Sequence, residues 1–258
     1  MDVIVTCEHA RNDVPHRYIE LFEGAEEDLD GHRGWDPGSR LLARRLARRL
    51  GSAPILGRVS RLVVDLNRSE DHPNLFSARM RGVPPGEREA LLDTYYRPHR
   101  RAVEEAVRGG IERGRDVLHL GVHTFTPVWR GRARATDIGI LHDPRRTWER
   151  ELALRLKRCL QRELPALAIH LNRPYRGWTD GLTTYLRGRF PHQDARARPG
   201  SGIASPPAPR YAGIELEVSQ RFHLGPPTPW TDVQAGIVAA VMTTVAGEAH
   251  PSRLYCSR

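Results

Sequence analysis

Val117-Leu-His-Leu-Gly-Val122 is an apolar run of strand length, and the residue that follows it is His123. A helical pattern from about Gly86 to Arg113 leads into it. Similar runs lie at Val3–Cys7, Leu62–Leu66, Ile138–Leu141, Leu167–Leu171 and Gly213–Val218, with helical patterns at Ser39–Leu50, Thr147–Leu164 and Asp232 to about Ala246. Strands alternating with helices predict an α/β fold, one domain with a mixed, mostly parallel sheet between helices. Ligands of such sheets gather beyond the carboxyl ends of the strands. Polar residues at strand exits are therefore the candidates for a site.

Composition sets the class. The 258 residues, 39% hydrophobic and 28% charged, suffice for one substantial core. The longest apolar runs, such as Gly236–Met242, are too short to span a bilayer. The net charge of +9 invites a nucleic-acid reading, but the basic residues are Arg spread along the chain beside acids, with Lys157 the single lysine. The dense run Leu41–Leu50 reads as a solvated helix face. The charge would instead steer a small anionic substrate. Met1-Asp2 runs straight into Val3-Ile-Val5 with no basic leader, and Cys7, Cys159 and Cys256 form an odd, scattered set. Both features predict a cytoplasmic protein. Glycine, proline, arginine, alanine and serine crowd 191–209, which reads as a flexible insertion.

The strand exits carry the chemistry. One ends Thr6-Cys-Glu-His9 and another Leu120-Gly-Val-His123, so His9 and His123 can meet in one cleft as ligands of a borderline metal such as zinc. The residue three after His9 is Asn12, which brings no charge. Asp36, in Gly34-Trp-Asp-Pro-Gly38, is the expected acidic ligand, although Asp before Pro-Gly also suits a turn or a helix cap. Glu8 alternates to the side of its strand away from His9. Period-two alternation puts Glu215 and Glu217 on one face of the last strand, where either could serve as general base, and we take Glu217 as the one. In Ser60-Arg-Leu-Val-Val-Asp-Leu-Asn-Arg-Ser69, Asn67 and Arg68 offer donors suited to a carboxylate, and Asp65 is expected to fix Arg68.

Nine ordered segments carry a family resemblance. They are Cys7-Glu-His-Ala10 with Val14-Pro15, Gly34-Trp-Asp-Pro-Gly38, Arg61-Leu-Val-Val-Asp-Leu-Asn-Arg68, His72-Pro-Asn-Leu-Phe-Ser77 and Tyr95-Tyr-Arg-Pro-His-Arg100. The series continues with Val122-His-Thr-Phe-Thr-Pro127, Thr136-Asp-Ile-Gly139, Asp180–Leu186 and Gly213–Gln220. The constellation resembles the N-formylglutamate amidohydrolase family and, behind it, the zinc carboxypeptidase and aspartoacylase group. The resemblance implies a phosphorylase/hydrolase-like fold and one zinc or other divalent ion on His9, Asp36 and His123. The implied reaction is hydrolysis of a small N-acyl, foremost N-formyl, amino acid to formate and the free amino acid. Asn67 and Arg68 would grip the substrate carboxylate and Arg61 the developing oxyanion. Tyr175 and Gly177 would line the pocket. A carboxylate-binding protein that had lost catalysis would keep Arg68 and need no metal, and a deacylase for another acyl group would keep both.

Overall fold

The computed structural model describes residues 1–191, 208–225 and 229–247. Six strands form one sheet in the order β2-β1-β3-β8-β6-β7. They are β1 (Asp2–Cys7), β2 (Ile55–Leu56), β3 (Val117–Phe125), β6 (Ile138–Leu141), β7 (Ile169–Leu171) and β8 (Tyr211–Ser219). A small antiparallel hairpin, β4 (Val128–Trp129) with β5 (Arg132–Ala133), stands apart. Among the described residues, only the β6–β8 pairing within the large sheet is antiparallel. The helices are α1 (Glu26–Asp30), α2 (Ser39–Arg49), α3 (Pro85–Leu91), α4 (Arg97–Glu112), α5 (Thr147–Glu163), α6 (Leu182–Arg189) and α7 (Trp230–Ala246). The fold is therefore a single α/β domain with a mixed, mostly parallel sheet, as the alternation predicts. No helix among the described residues is long and apolar enough to cross a membrane.

Alternation along the strands gives the sheet two unlike faces. Val5 and Cys7, Leu118, Leu120 and Val122, and Ile214, Leu216 and Val218 turn one way and join the main core with α2, α5 and α7. Each such fully buried aliphatic side chain contributes about 1.5–3 kcal/mol. The opposite face carries His119, Gly121 and His123 on β3 and Gly213, Glu215 and Glu217 on β8. It is covered by α4 and α6 through Val103, Val107, Leu182 and Leu186. Farther from the strand exits, His119 on this face is satisfied locally: it bonds Thr6 Oγ1 at 2.8 Å and the Tyr211 hydroxyl at 3.0 Å, and burial lowers its pKa to about 4.

Glu149 and Arg187, both buried, are the structural ion pair of the domain. The Glu149 carboxylate accepts from Arg187 at 2.8 Å and from the backbone of Asp143 and Gly213, while Arg187 also donates to the Gly213 carbonyl. Every acceptor is used, which is the condition for tolerating a buried acid.

The helical pattern from about Gly86 to Arg113 is realised as α3 and α4 joined by one π turn, Leu92–Tyr96. Pro98 has no N–H for the Thr94 carbonyl four residues back, and Arg58 Nη2 donates to that carbonyl instead, at 3.2 Å. The strand expected at Leu62–Leu66 is absent. Val63 N and Val64 N both donate to the Ser60 carbonyl, and Asp65 N to that of Leu75, so the segment is a turn followed by a tethered loop. Its apolar residues fill a separate core with Val59, Leu75, Met80 and Tyr96. An apolar run of five residues says that a segment is buried, not that it pairs in a sheet. Most of the insertion expected at 191–209 lies outside the described residues.

Candidate active site

Parallel pairing aligns the site residues before any side chain is considered. His123 is the register partner of Glu217, and Thr6 that of Gly121. Carried two residues on from the Thr6–Gly121 pair, one past the end of β1, the same register sets Glu8 beside His123. Glu8, His123 and Glu217 thus form a row across three strands on the polar face. His9 follows in the turn after β1, and Asp36 lies in the loop before α2, with its backbone N–H bonded to the His9 carbonyl at 3.0 Å.

His9, Asp36 and His123 meet, all buried, with a ligand atom from each lying within 4.8 Å of the other two. Asp36 Oδ2 lies 3.0 Å from His123 Nδ1 and 3.4 Å from His9 Nδ1. The carboxylate does not cap α2. The Asp36 backbone carbonyl serves the turn, accepting from Ser39 N and Oγ, so the side chain is free to face the imidazoles. The far nitrogens of both rings also face acids. His9 Nε2 is 2.7 Å from Asp65 Oδ1, and His123 Nε2 is 3.1 Å from Glu8 Oε2. Histidines backed in this way are oriented as metal-ligating histidines are.

The electrostatics of the cluster also fit a cation. Burial works against charge on Asp36, but His9 and His123 hold its pKa well below the usual carboxylate range. Burial likewise opposes ionisation of Asp65, which Arg61 and His9 keep ionised. Burial and Arg61 would lower His9, yet Asp65 and Asp36 hold it above its ordinary value, and Asp36 and Glu8 raise His123 against its own burial. Metal ligation requires neutral imidazoles. With His9 and His123 neutral, Glu8, Asp36 and Asp65 leave a surplus of negative charge that a divalent ion would balance.

A cavity of about 510 Å³ opens over this cluster. Its wall includes His9, Asp36, His123, Arg61, Asn67, Arg68, Tyr175 and Glu217. Gly177 lies behind the wall. A Cβ there would sit 2.1 Å from the His142 backbone nitrogen, so the glycine permits a close backbone approach and does not face the cavity. Asn172 shapes this turn by accepting from His142 N and Gly177 N.

Glu217 and Glu215 share a face but not an environment. Glu215 Oε1 accepts from Thr183 Oγ1 at 3.1 Å. Glu217 is 6% exposed, its Oε2 has no hydrogen-bond partner among the described residues, and burial pushes its pKa up to about 7. Asp65 does less for Arg68 than expected. It accepts from Arg61 Nη2 at 3.0 Å and from Asn67 N at 3.0 Å, whereas Arg68 Nε is 3.9 Å away. The orientation of Asn67 is fixed from the other side, because its Oδ1 accepts from Leu182 N at 2.7 Å. That leaves the Nδ2 donor for the cavity.

Sequence reasoning did not find the hairpin side of the cavity. Trp129, on β4, reaches the wall, and the Arg134 guanidinium lies over the rings of Phe125, Trp129 and Tyr175, 5.2–5.4 Å from their centroids. Nothing in a two-residue strand announces this role. Glu8, by contrast, is legible in retrospect: it stands two residues after Thr6 on the face that His123 shares.

A polar cavity across the carboxyl ends of a mostly parallel sheet, holding histidines, acids and arginines, is the architecture of an α/β protein that takes a small ligand at its strand ends. The sequence matches the N-formylglutamate amidohydrolase family over residues 1–198, and the chain belongs to that family. Among solved structures it is similar to a gene product from Agrobacterium tumefaciens, with 26% identity, a TM-score of 0.71, and 96% of this chain and 92% of that one covered. It is also similar in fold to N-formylglutamate amidohydrolase from Ralstonia eutropha JMP134, with 17% identity, a TM-score of 0.66, and coverage of 96% and 94%. Comparison with curated protein sequences finds no match.

Proposed function

We propose that the protein hydrolyses the amide bond of a small N-acyl amino acid, foremost an N-formyl one such as N-formylglutamate, releasing formate and the free amino acid. The observation that carries this reading is the convergence of His9, Asp36 and His123 beside Glu217 in one cavity. The donor set suits zinc, and another divalent ion could occupy it. When bound, the ion supplies Lewis acidity, polarising the amide carbonyl and bringing the pKa of water toward neutrality.

The remaining steps belong to the chain. Glu217, whose pKa burial raises to about 7, takes a proton from the attacking water and returns it to the nitrogen as the carbon–nitrogen bond breaks. Arg61, braced by Asp65, faces the developing oxyanion. Asn67 Nδ2 and Arg68 hold the substrate carboxylate, and Tyr175, whose hydroxyl is engaged by Arg134, closes one wall. Cys7 and Cys159 are free, buried thiols, which suits the cytoplasm we propose.

Elemental analysis of the purified protein, followed by a hydrolysis screen across N-formyl, N-acetyl and N-succinyl amino acids, tests the reading. Metal at one equivalent with turnover of an N-formyl acid supports it. Metal-free protein that binds these acids without cleaving them would make it a carboxylate-binding protein. Arg68→Lys sharpens the substrate assignment, because a bidentate guanidinium is poorly replaced by a point charge. KM for N-formyl acids should rise on the order of tenfold to a hundredfold, the equivalent of a lost charged hydrogen bond. The corresponding amides, lacking the carboxylate, should be little affected. Equal losses on acid and amide would place carboxylate recognition elsewhere.

A further inference from the structure

Glu8 is buried beside the cluster, yet it is not satisfied in the way a structural acid is. Glu149 uses both oxygens in aligned hydrogen bonds. Glu8 is 2% exposed and has two imidazoles as its close ionic contacts. Oε2 lies 3.1 Å from His123 Nε2, and Oε1 lies 3.6 Å from Nε2 of His99, in the first turn of α4. Glu8 Oε1, His99 Nε2 and His123 Nε2 are all sealed from solvent, and none makes an aligned hydrogen bond among the described residues. Sheet register places the acid there, and α4, packed over β1 and β3, brings His99 to its far side.

We propose that Glu8 and His99 are positioning residues for the metal site, acting through His123. An ionised carboxylate only accepts, so it holds the ring proton on His123 Nε2 and leaves the Nδ1 lone pair toward Asp36 and His9. His99 anchors the second carboxylate oxygen and so keeps Glu8 from swinging away. The inference rests on the reading of His123 as a metal ligand.

The test is zinc affinity, measured by competition with a chromophoric chelator on the full-length protein. Glu8→Gln, of equal size, should weaken zinc about 10–100-fold. His99→Leu should move affinity in the same direction by a smaller factor, and His99→Gln, which can still donate, should restore most of it. With zinc in excess, KM for the N-formyl substrate should stay at the wild-type value. Glu8→Gln binding zinc as tightly as wild type would overturn the proposal, and so would a lower melting temperature of the metal-free variant with zinc affinity intact. If His123→Ala binds zinc as well as wild type, the metal reading itself has failed, whatever Glu8→Gln does.

Discussion

Glu217→Gln should lower turnover about 10²–10⁴-fold, the usual cost of losing a proton-transfer group, with metal content unchanged. The same substitution should stabilise the metal-free protein. Burial raises the folded pKa of Glu217 to about 7, against an ordinary value of 4.5. Below pH 4.5 the carboxyl is protonated folded or unfolded and costs nothing. Between 4.5 and 7 only the unfolded chain releases the proton, so the folded state loses ground as pH rises. Above 7 the cost is complete, at about 3 kcal/mol. Melting curves of the metal-free proteins should therefore favour Glu217→Gln at pH 8 and converge below pH 4.5. Glu215→Gln is the control: its partner Thr183 gives it a structural bond, and turnover should fall far less. An inactive Glu215→Gln with an active Glu217→Gln would reverse the assignment.

His123→Ala should abolish stoichiometric metal and lower activity by about 10³-fold or more, the scale of several kcal/mol of lost Lewis-acid stabilisation. It also strips a partner from two buried carboxylates, Asp36 and Glu8, so the variant should melt lower as well. Asp36→Asn separates these effects. Its side chain takes no part in starting α2, so the helix should persist while metal is lost. Zinc retained at one equivalent in Asp36→Asn would remove Asp36 from the ligand set.

The sheet was largely legible because its strands are apolar and flanked by helical periodicity. Ile138–Leu141 is realised residue for residue, and β3 and β8 extend the expected runs by a few positions. Strand exits led to His9 and His123 for a simple reason: a histidine at the end of a buried run has few apolar uses. Leu62–Leu66 misled because burial in a small side core and burial in a sheet look alike in five residues. Gly177 was misplaced for a related reason. A glycine near a pocket can serve the backbone behind the wall as well as the cavity in front of it. The pairings of Glu8 with His123 and of Arg134 with Tyr175 depend on strand order and on a hairpin that two-residue strands do not signal. Such contacts between distant segments follow from register, which alternation within one segment does not encode.

Asn67 closes α6 and lines the cavity with the same amide, so the carboxylate recognition we propose for it would be coupled to the local stability of the helix. The carbonyl end replaces the side-chain cap that Gly181 cannot provide, while the amino end is left for a ligand. A carboxylate bound to that amino group would order the amide and lower the frequency with which the first turn of α6 frays. Thr183, in that turn, steadies Glu215 beside the general base we propose. If Asn67 holds the substrate as we propose, occupancy of the cavity would reach β8 as a reduction in local opening of α6, with no displacement of the sheet required.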